Sequence, residues 1–171
     1  MKLTKRLAGG LVATVMMAAM FPGLTANATT SQRSGCWRYR TSERSFVQKM
    51  NGARDRAGVR NMRLDKQLTK VARVHTRAMV RDNRLFHTPS NKMSRRVTHW
   101  NILGENVGVG GTVNSLHQAF MNSPAHRDNV LFGQYRHVGV GVKVKGDRMW
   151  VTVVFESHRD PGTTLRVPRS C

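Results

Sequence analysis

Acid is scarce in this chain. Asp and Glu total 9 of 171 residues against 29 Lys and Arg, for a formal net charge of +20. Such a balance excludes a cationic partner. It leaves anionic ones: a cell-wall polymer, a membrane surface or nucleic acid. Cysteine occurs only twice, at Cys36 and Cys171, too few to build a tetrahedral zinc site from thiolates alone. No apolar run reaches the ~20 residues of a spanning helix. His-Glu-x-x-His is absent, and no Gly-Lys-Ser/Thr follows the glycines of GENVGVGG. A thermolysin-like protease and a phosphate loop are therefore unsupported. Neither a nucleophile elbow nor a nucleic-acid-binding motif is present, and there is no internal repeat or second domain. Disorder is also excluded, because the apolar residues, 39% of the chain, recur with regular periods.

The N-terminus reads as an export signal over residues 1–28. Met1–Arg6 is basic, Leu7–Phe21 is a 15-residue apolar run, and Pro22-Gly23 breaks it. Ala26-Asn27-Ala28 then places small residues at the cleavage-determining positions. No cysteine sits directly after that point, where Thr29 stands, so a lipoprotein anchor is not expected. The mature chain would keep a charge of +17 on 143 residues, a length that suits one domain. Arg outnumbers Lys 21 to 8, and arginine favours bidentate contacts to phosphate or carboxylate. Outside the cell, two cysteines suggest a disulfide between Cys36 and Cys171 that ties the ends of the domain together; free or intermolecularly paired thiols are the alternative.

Residues 29–41 form a polar tether. Ser42 and Glu43 then suit the start of a helix carrying Phe46, Met50 and Ala53 on one face, with Gly58 closing it. Val59–Leu64 reads as a connector. Asp65 caps a stronger helix whose stripe is Leu68, Val71, Ala72, His75, Ala78 and Met79, with Lys70, Arg73, Arg77 and Arg81 outward. Leu85–Thr98 reads as a loop, Trp100–Val107 as a short strand. A helix follows with Val113, Leu116, Ala119 and Phe120 on one face, and Ser123-Pro124 opens a short fourth one. Val138, Val140, Val142 and Val144 then recur with a period of two. Lys145-Gly146-Asp147 is a turn, and Met149–Glu156 is apolar on nearly both faces. This is an antiparallel hairpin inside a covered sheet. The expected fold is α+β, a three-layer α-β-α sandwich with an antiparallel sheet over residues 42–171.

Several segments carry a resemblance. They are AxxHTRAM at Ala72–Met79, FHT at Phe86–Thr88, LGENVGVG at Leu103–Gly110, FMNSPAHRDNVL at Phe120–Leu131 and HVGVGV at His137–Val142. In this order they resemble the CAP superfamily, the cysteine-rich secretory and pathogenesis-related proteins, in its single-domain bacterial form, the SCP domain. The resemblance spans about Phe46 to Phe155 and implies the same sandwich. It further implies a cleft holding two histidines and acidic residues: by motif, His87, His126 and Glu105. Zinc or another divalent metal on these three, a polar network, or an acid–base pair are the chemistries that set allows. The fuller family pattern has a tryptophan and, three residues later, a second glutamate. Here those positions are Phe120 and Ser123.

That departure favours binding over catalysis. The first expectation is a secreted, monomeric, non-enzymatic binding module for a lipid, a sterol-like molecule or an anionic envelope polymer, with peripheral membrane contact and no specific nucleic acid. The alternatives are a metal-assisted hydrolase using His87, Glu105 and His126, and an electrostatic polyanion binder. Ser123 belongs to the cleft and is expected to cap the fourth helix. His126 then sits in the first helical turn, where the dipole disfavours imidazolium and keeps the ring neutral. A Ser123–His126–Glu105 triad is rejected, since Ser123 already has the capping role. His75 is expected to be a satisfied core residue. His99, His117, His137 and His158 carry no spacing signal.

Overall fold

A computed structural model describes residues 37–157. The export signal, most of the tether, His158 and the Cys36–Cys171 pair lie outside the described residues. The elements run α1 (Thr41–Arg56), β1 (Arg63–Leu64), α2 (Lys66–Arg81), α3 (Ser90–Arg96), β2 (Leu103–Gly110), α4 (Val113–Asn122), α5 (Pro124–Leu131), β3 (His137–Lys145) and β4 (Arg148–Glu156). The sheet order is β1-β3-β4-β2. Helices cover both faces, giving the α-β-α sandwich expected from sequence.

The hairpin organises the rest. Lys145 pairs with Arg148 across a two-residue loop, and Gly146 takes φ +61°. A positive φ at the first central position suits glycine and matches the twist of paired strands. Along β3, valine and glycine alternate for a reason other than a wet face. Val138, Val140 and Val142 pack with Val151, Val153 and Phe155 against Phe46, Met50, Leu116 and Phe120 of α1 and α4. Gly139 and Gly141 point the other way, where a Cβ would strike the backbone of Leu68, Thr69, Ala72 and Arg73. The glycines let α2 lie directly on the sheet. Thr76 exploits the approach: its hydroxyl reaches Gly141 O at 3.0 Å and Thr152 Oγ1 at 2.9 Å.

Several expectations change in detail. The sheet is mixed, because β1, inside the expected connector, pairs parallel with β3 through Arg63↔His137 and Leu64↔Val138. Strand β2 begins at Leu103 and extends to Gly110, in register with all but one end of β4. The expected loop at 85–98 contains α3. Its composition, SNKMSRR, has one apolar residue and no helical stripe. Buried Met93 and Val97 hold it against Leu68, Val71, Ala72 and Val154. Helix α2 is capped as expected, Asp65 accepting from Leu68 N at 2.8 Å. Helix α1 starts at Thr41, so Ser42 lies inside it. Its cap comes from Glu43, which accepts from Arg40 N at 2.8 Å. Arg73 is not outward. It donates to both oxygens of fully buried Glu43, at 2.7 and 2.6 Å, and lies 4.6 Å from the centre of the Trp37 ring. A buried carboxylate needs such a partner, so the cation turns in from the helix surface.

Candidate functional site

The expected cleft residues gather around β2, the edge strand. Successive residues of a strand point to opposite faces, so Glu105 and Asn106 serve different sides of the sheet.

On the α2 side the chain is set from the helix outward. His75 is 4% exposed, and its Nε2 donates to Phe86 O at 2.7 Å, with the two rings edge to face. It is the satisfied core histidine expected. By fixing Phe86 it also places the next two residues. His87 Nδ1 donates to Glu105 Oε1 at 2.9 Å. Thr88 N donates to the same oxygen at 2.8 Å, and Thr88 Oγ1 to Oε2 at 2.6 Å. The Glu105 side chain is 5% exposed and that of His87 62%. The buried carboxylate is thus a clamp on the Phe86–Thr88 segment, and the His87 ring turns its Nε2 edge outward. Beside it lies an open cavity of about 560 Å³. His87, Thr88 and Glu105 line it together with Met93, Trp100, Leu103 and the polar residues of α3.

On the opposite side Asn106 is fully buried and donates to His126 O at 2.9 Å. Asn129 donates to Asn106 Oδ1 at 2.9 Å and to Glu105 O at 3.3 Å. These bonds fasten α5 to β2 and fix His126. The imidazole stacks on Phe120, centroids 5.0 Å apart, and its Nδ1 meets Ser123 Oγ at 2.8 Å. Ser123 keeps the extended N-cap backbone, but its hydroxyl makes no capping bond. It orients the histidine instead. His126 does favour the neutral ring, as expected. Burial is the first cause and the charge of His87 the second.

The structure therefore brings His87, Glu105, Ser123 and His126 to one edge of the sheet as two sets. Among the described residues no hydrogen bond joins His87–Glu105–Thr88 to Ser123–His126. A three-ligand zinc centre does not fit this arrangement. Both Glu105 oxygens are committed to the His87–Thr88 segment, and no group of three or more His, Cys, Asp or Glu among the described residues is arranged to hold a metal ion.

Two histidines without spacing signals have definite places. His137, 2% exposed, bonds Glu156 Oε2 through Nδ1 at 2.9 Å. The signal was countable: stepping outward from the two-residue turn pairs 145 with 148 and hence 137 with 156. His117 lies on the buried side of α4, with Nε2 buried and without a hydrogen-bond partner among the described residues. Its pKa is lowered by burial, then by Lys49 and Arg56.

His117 and His126 together predict an acid-side loss of stability. Their pKa values fall below the ordinary 6.5 on folding. Below about 6.5 the unfolded chain then binds more protons than the folded one, so the contribution is full above that pH and lost as pH falls. The thermal midpoint should drop between about pH 7.5 and about pH 5.5, and less so in His117→Gln or His126→Gln chains. A slope that neither substitution changes would refute the assignment.

Comparisons with known proteins agree with the fold. The model of the CAP family, "Cysteine-rich secretory protein family", matches residues 47–155. The chain belongs to this family. YkwD of Bacillus subtilis (strain 168), described as uncharacterized, is 30% identical over 131 residues, covering 72% of this chain and 49% of that protein. The chain thus spans about half the length of that curated CAP relative. An extracellular SCP-domain protein from Bacillus anthracis str. Ames matches with a TM-score of 0.61 and 25% identity, over 67% of this chain and 40% of the other. An outer surface protein from Borrelia burgdorferi matches with a TM-score of 0.65, over 72% of this chain and 98% of the other; at 16% identity it shows the CAP fold alone. No helix among the described residues is long and apolar enough to cross a membrane.

Proposed function

We propose that this CAP protein is a secreted, non-enzymatic binding module whose cleft takes a lipid or sterol-like molecule. The observation that carries the reading is the cavity beside Glu105. Met93, Leu103 and Trp100 bring apolar side chains to its lining, and the exposed His87 is among its polar groups. Ligand pockets of this kind are mostly apolar with a few placed polar groups. Glu105 supports binding over catalysis, because a carboxylate accepting three bonds from its own scaffold is not poised to take a proton from a substrate. Export rests on the N-terminal pattern, and the extracellular description of the SCP-domain protein from Bacillus anthracis str. Ames supports it.

The test is mass spectrometry of the purified chain together with titration of a dansylated fatty acid and of cholesterol. Co-purifying lipid and saturable binding of at least one probe are expected. Trp100 is 41% exposed, so covering it with ligand makes Trp100→Ala weaken binding by about tenfold. Stoichiometric zinc, with hydrolysis lost in His87→Ala and His126→Ala chains, would overturn the reading in favour of the metal-assisted hydrolase.

A further inference from the structure

The opposite edge of the sheet, at β1, carries a basic cavity of about 650 Å³ lined by Arg60, Asn61, Arg63 and Arg136. It shares no residue with the cleft and does not depend on the lipid reading. Register brings its arginines together. Arg63 N donates to Arg136 O at 3.0 Å, and Arg136 N to Glu156 O at 2.8 Å, so both residues are held by the sheet. Arg63 pairs with His137 across the β1–β3 ladder. Its Nη2 lies 3.3 Å from His137 Nε2. A guanidinium only donates, so Nε2 accepts and the ring proton on Nδ1 faces Glu156. That chain of contacts positions Arg63. Arg136 uses Nη1 on the carbonyls of Gly133 and Tyr135, at 2.7 and 3.3 Å. Neither of these arginines, nor Arg60, forms a salt bridge with a carboxylate among the described residues.

A fourth arginine lies beneath. Arg54 is fully buried, yet every partner of its guanidinium is a carbonyl: Arg60 O and Val130 O at 2.7 Å, Phe132 O at 3.1 Å and Tyr135 O at 3.3 Å. Burial, and then the charge of Arg136, lower its pKa. Buried charges ordinarily carry a counterion. Here the charge ties together the two chain segments that bear Arg60 and Arg136, and it adds positive potential below the cavity.

We infer that Arg60, Arg63, Arg136 and Asn61 form a phosphate site that grips successive phosphodiester groups of a soluble anionic envelope polymer. Guanidinium forks match phosphate oxygens in pairs. The concavity and a lining of three arginines and an asparagine favour a polymer over a bilayer. A bilayer-binding face would present apolar side chains, and none of the exposed large apolar residues, Leu85, Trp100, Ile102, Phe132 and Val144, lines this cavity.

The test titrates the full chain with soluble poly(glycerol phosphate), with inorganic phosphate as competitor. The Arg60 side chain makes no internal hydrogen bond among the described residues, so Arg60→Gln should keep the thermal midpoint while weakening binding by about tenfold. Arg63→Gln and Arg136→Gln should act in the same direction. Arg77→Gln removes equal charge from exposed α2 and should change binding by less than about twofold. Equal weakening by Arg60→Gln and Arg77→Gln would overturn the site in favour of diffuse charge. No binding of the polymer at low salt would overturn it too. So would arginine-dependent binding to phosphatidylglycerol vesicles without binding to the polymer. Loss here with fatty-acid or cholesterol binding intact, or the reverse, separates this site from the cleft.

Discussion

Gly139→Ala should cost the fold more than about 3 kcal/mol, at or beyond the upper end for overpacking and a large part of a domain's ~5–15 kcal/mol. The added Cβ would lie well inside van der Waals contact of Leu68 C, Leu68 Cβ and Thr69 N. Two of those three atoms are backbone in the first turn of α2, a helix anchored along its length by Leu68, Ala72, Thr76 and Met79. It cannot yield locally. Gly141→Ala should follow closely, with Ala72 C and Arg73 N each 2.5 Å from the new carbon. Gly110→Ala meets only the Leu116 side chain, at 3.0 and 3.1 Å, which a rotamer change relieves. Gly133→Ala has nothing within 4 Å and should be near neutral. Urea unfolding of the four chains checks the order. Equal midpoints for Gly139→Ala and Gly133→Ala would mean that α2 does not rest on the sheet as described.

The same two glycines show what a sequence can and cannot say. The period of two in HVGVGV identifies a strand, and the apolar run of MWVTVVFE identifies its covered neighbour. From these the sandwich follows. What periodicity does not say is that the Gly face is as dry as the Val face, because hydropathy does not register the contact of a helix backbone. Helix α3 is hidden for a related reason. Its seven residues hold one apolar anchor, and tertiary contacts at Met93 and Val97, not its own pattern, make it helical. Arg73 reads as outward from its position opposite the stripe. Only the three-dimensional position of Glu43, thirty residues earlier, draws it inward.

At the site, motif matching picks residues that the fold places near one another, but it does not give their bonding. His87, Glu105, Ser123 and His126 do meet at the β2 edge. Strand alternation, however, sends Glu105 to one face and Asn106 to the other, so the set divides in two. Ser123 could satisfy either a backbone N–H or a nearby ring nitrogen, and local sequence is silent on the choice. Thr88 and Asn129 lie inside the quoted motifs, but a hydroxyl and an amide carry no spacing signature that assigns them a role. Both act by holding what the motifs display.

Glu105→Leu should abolish ligand capture in the cleft, lowering affinity by more than about thirtyfold, and should cost roughly 3 kcal/mol of stability. The carboxylate accepts three bonds. Leucine fills its space but leaves Thr88 N and Thr88 Oγ1 unpaired at a residue only 6% exposed. An unpaired buried donor costs about 1–3 kcal/mol. The Phe86–Thr88 segment would then lose its hold on β2, and His87 and Thr88 would no longer be held in the cavity lining. Glu105→Gln separates clamp from charge. Its amide keeps one acceptor oxygen and nearly the same shape, so folding and most of the binding should survive, with affinity reduced by about three- to tenfold. Probe titration and urea unfolding on the same preparations read both effects. A Glu105→Gln chain that folds like wild type and binds nothing would sink the clamp, because the negative charge itself would then be what the ligand requires.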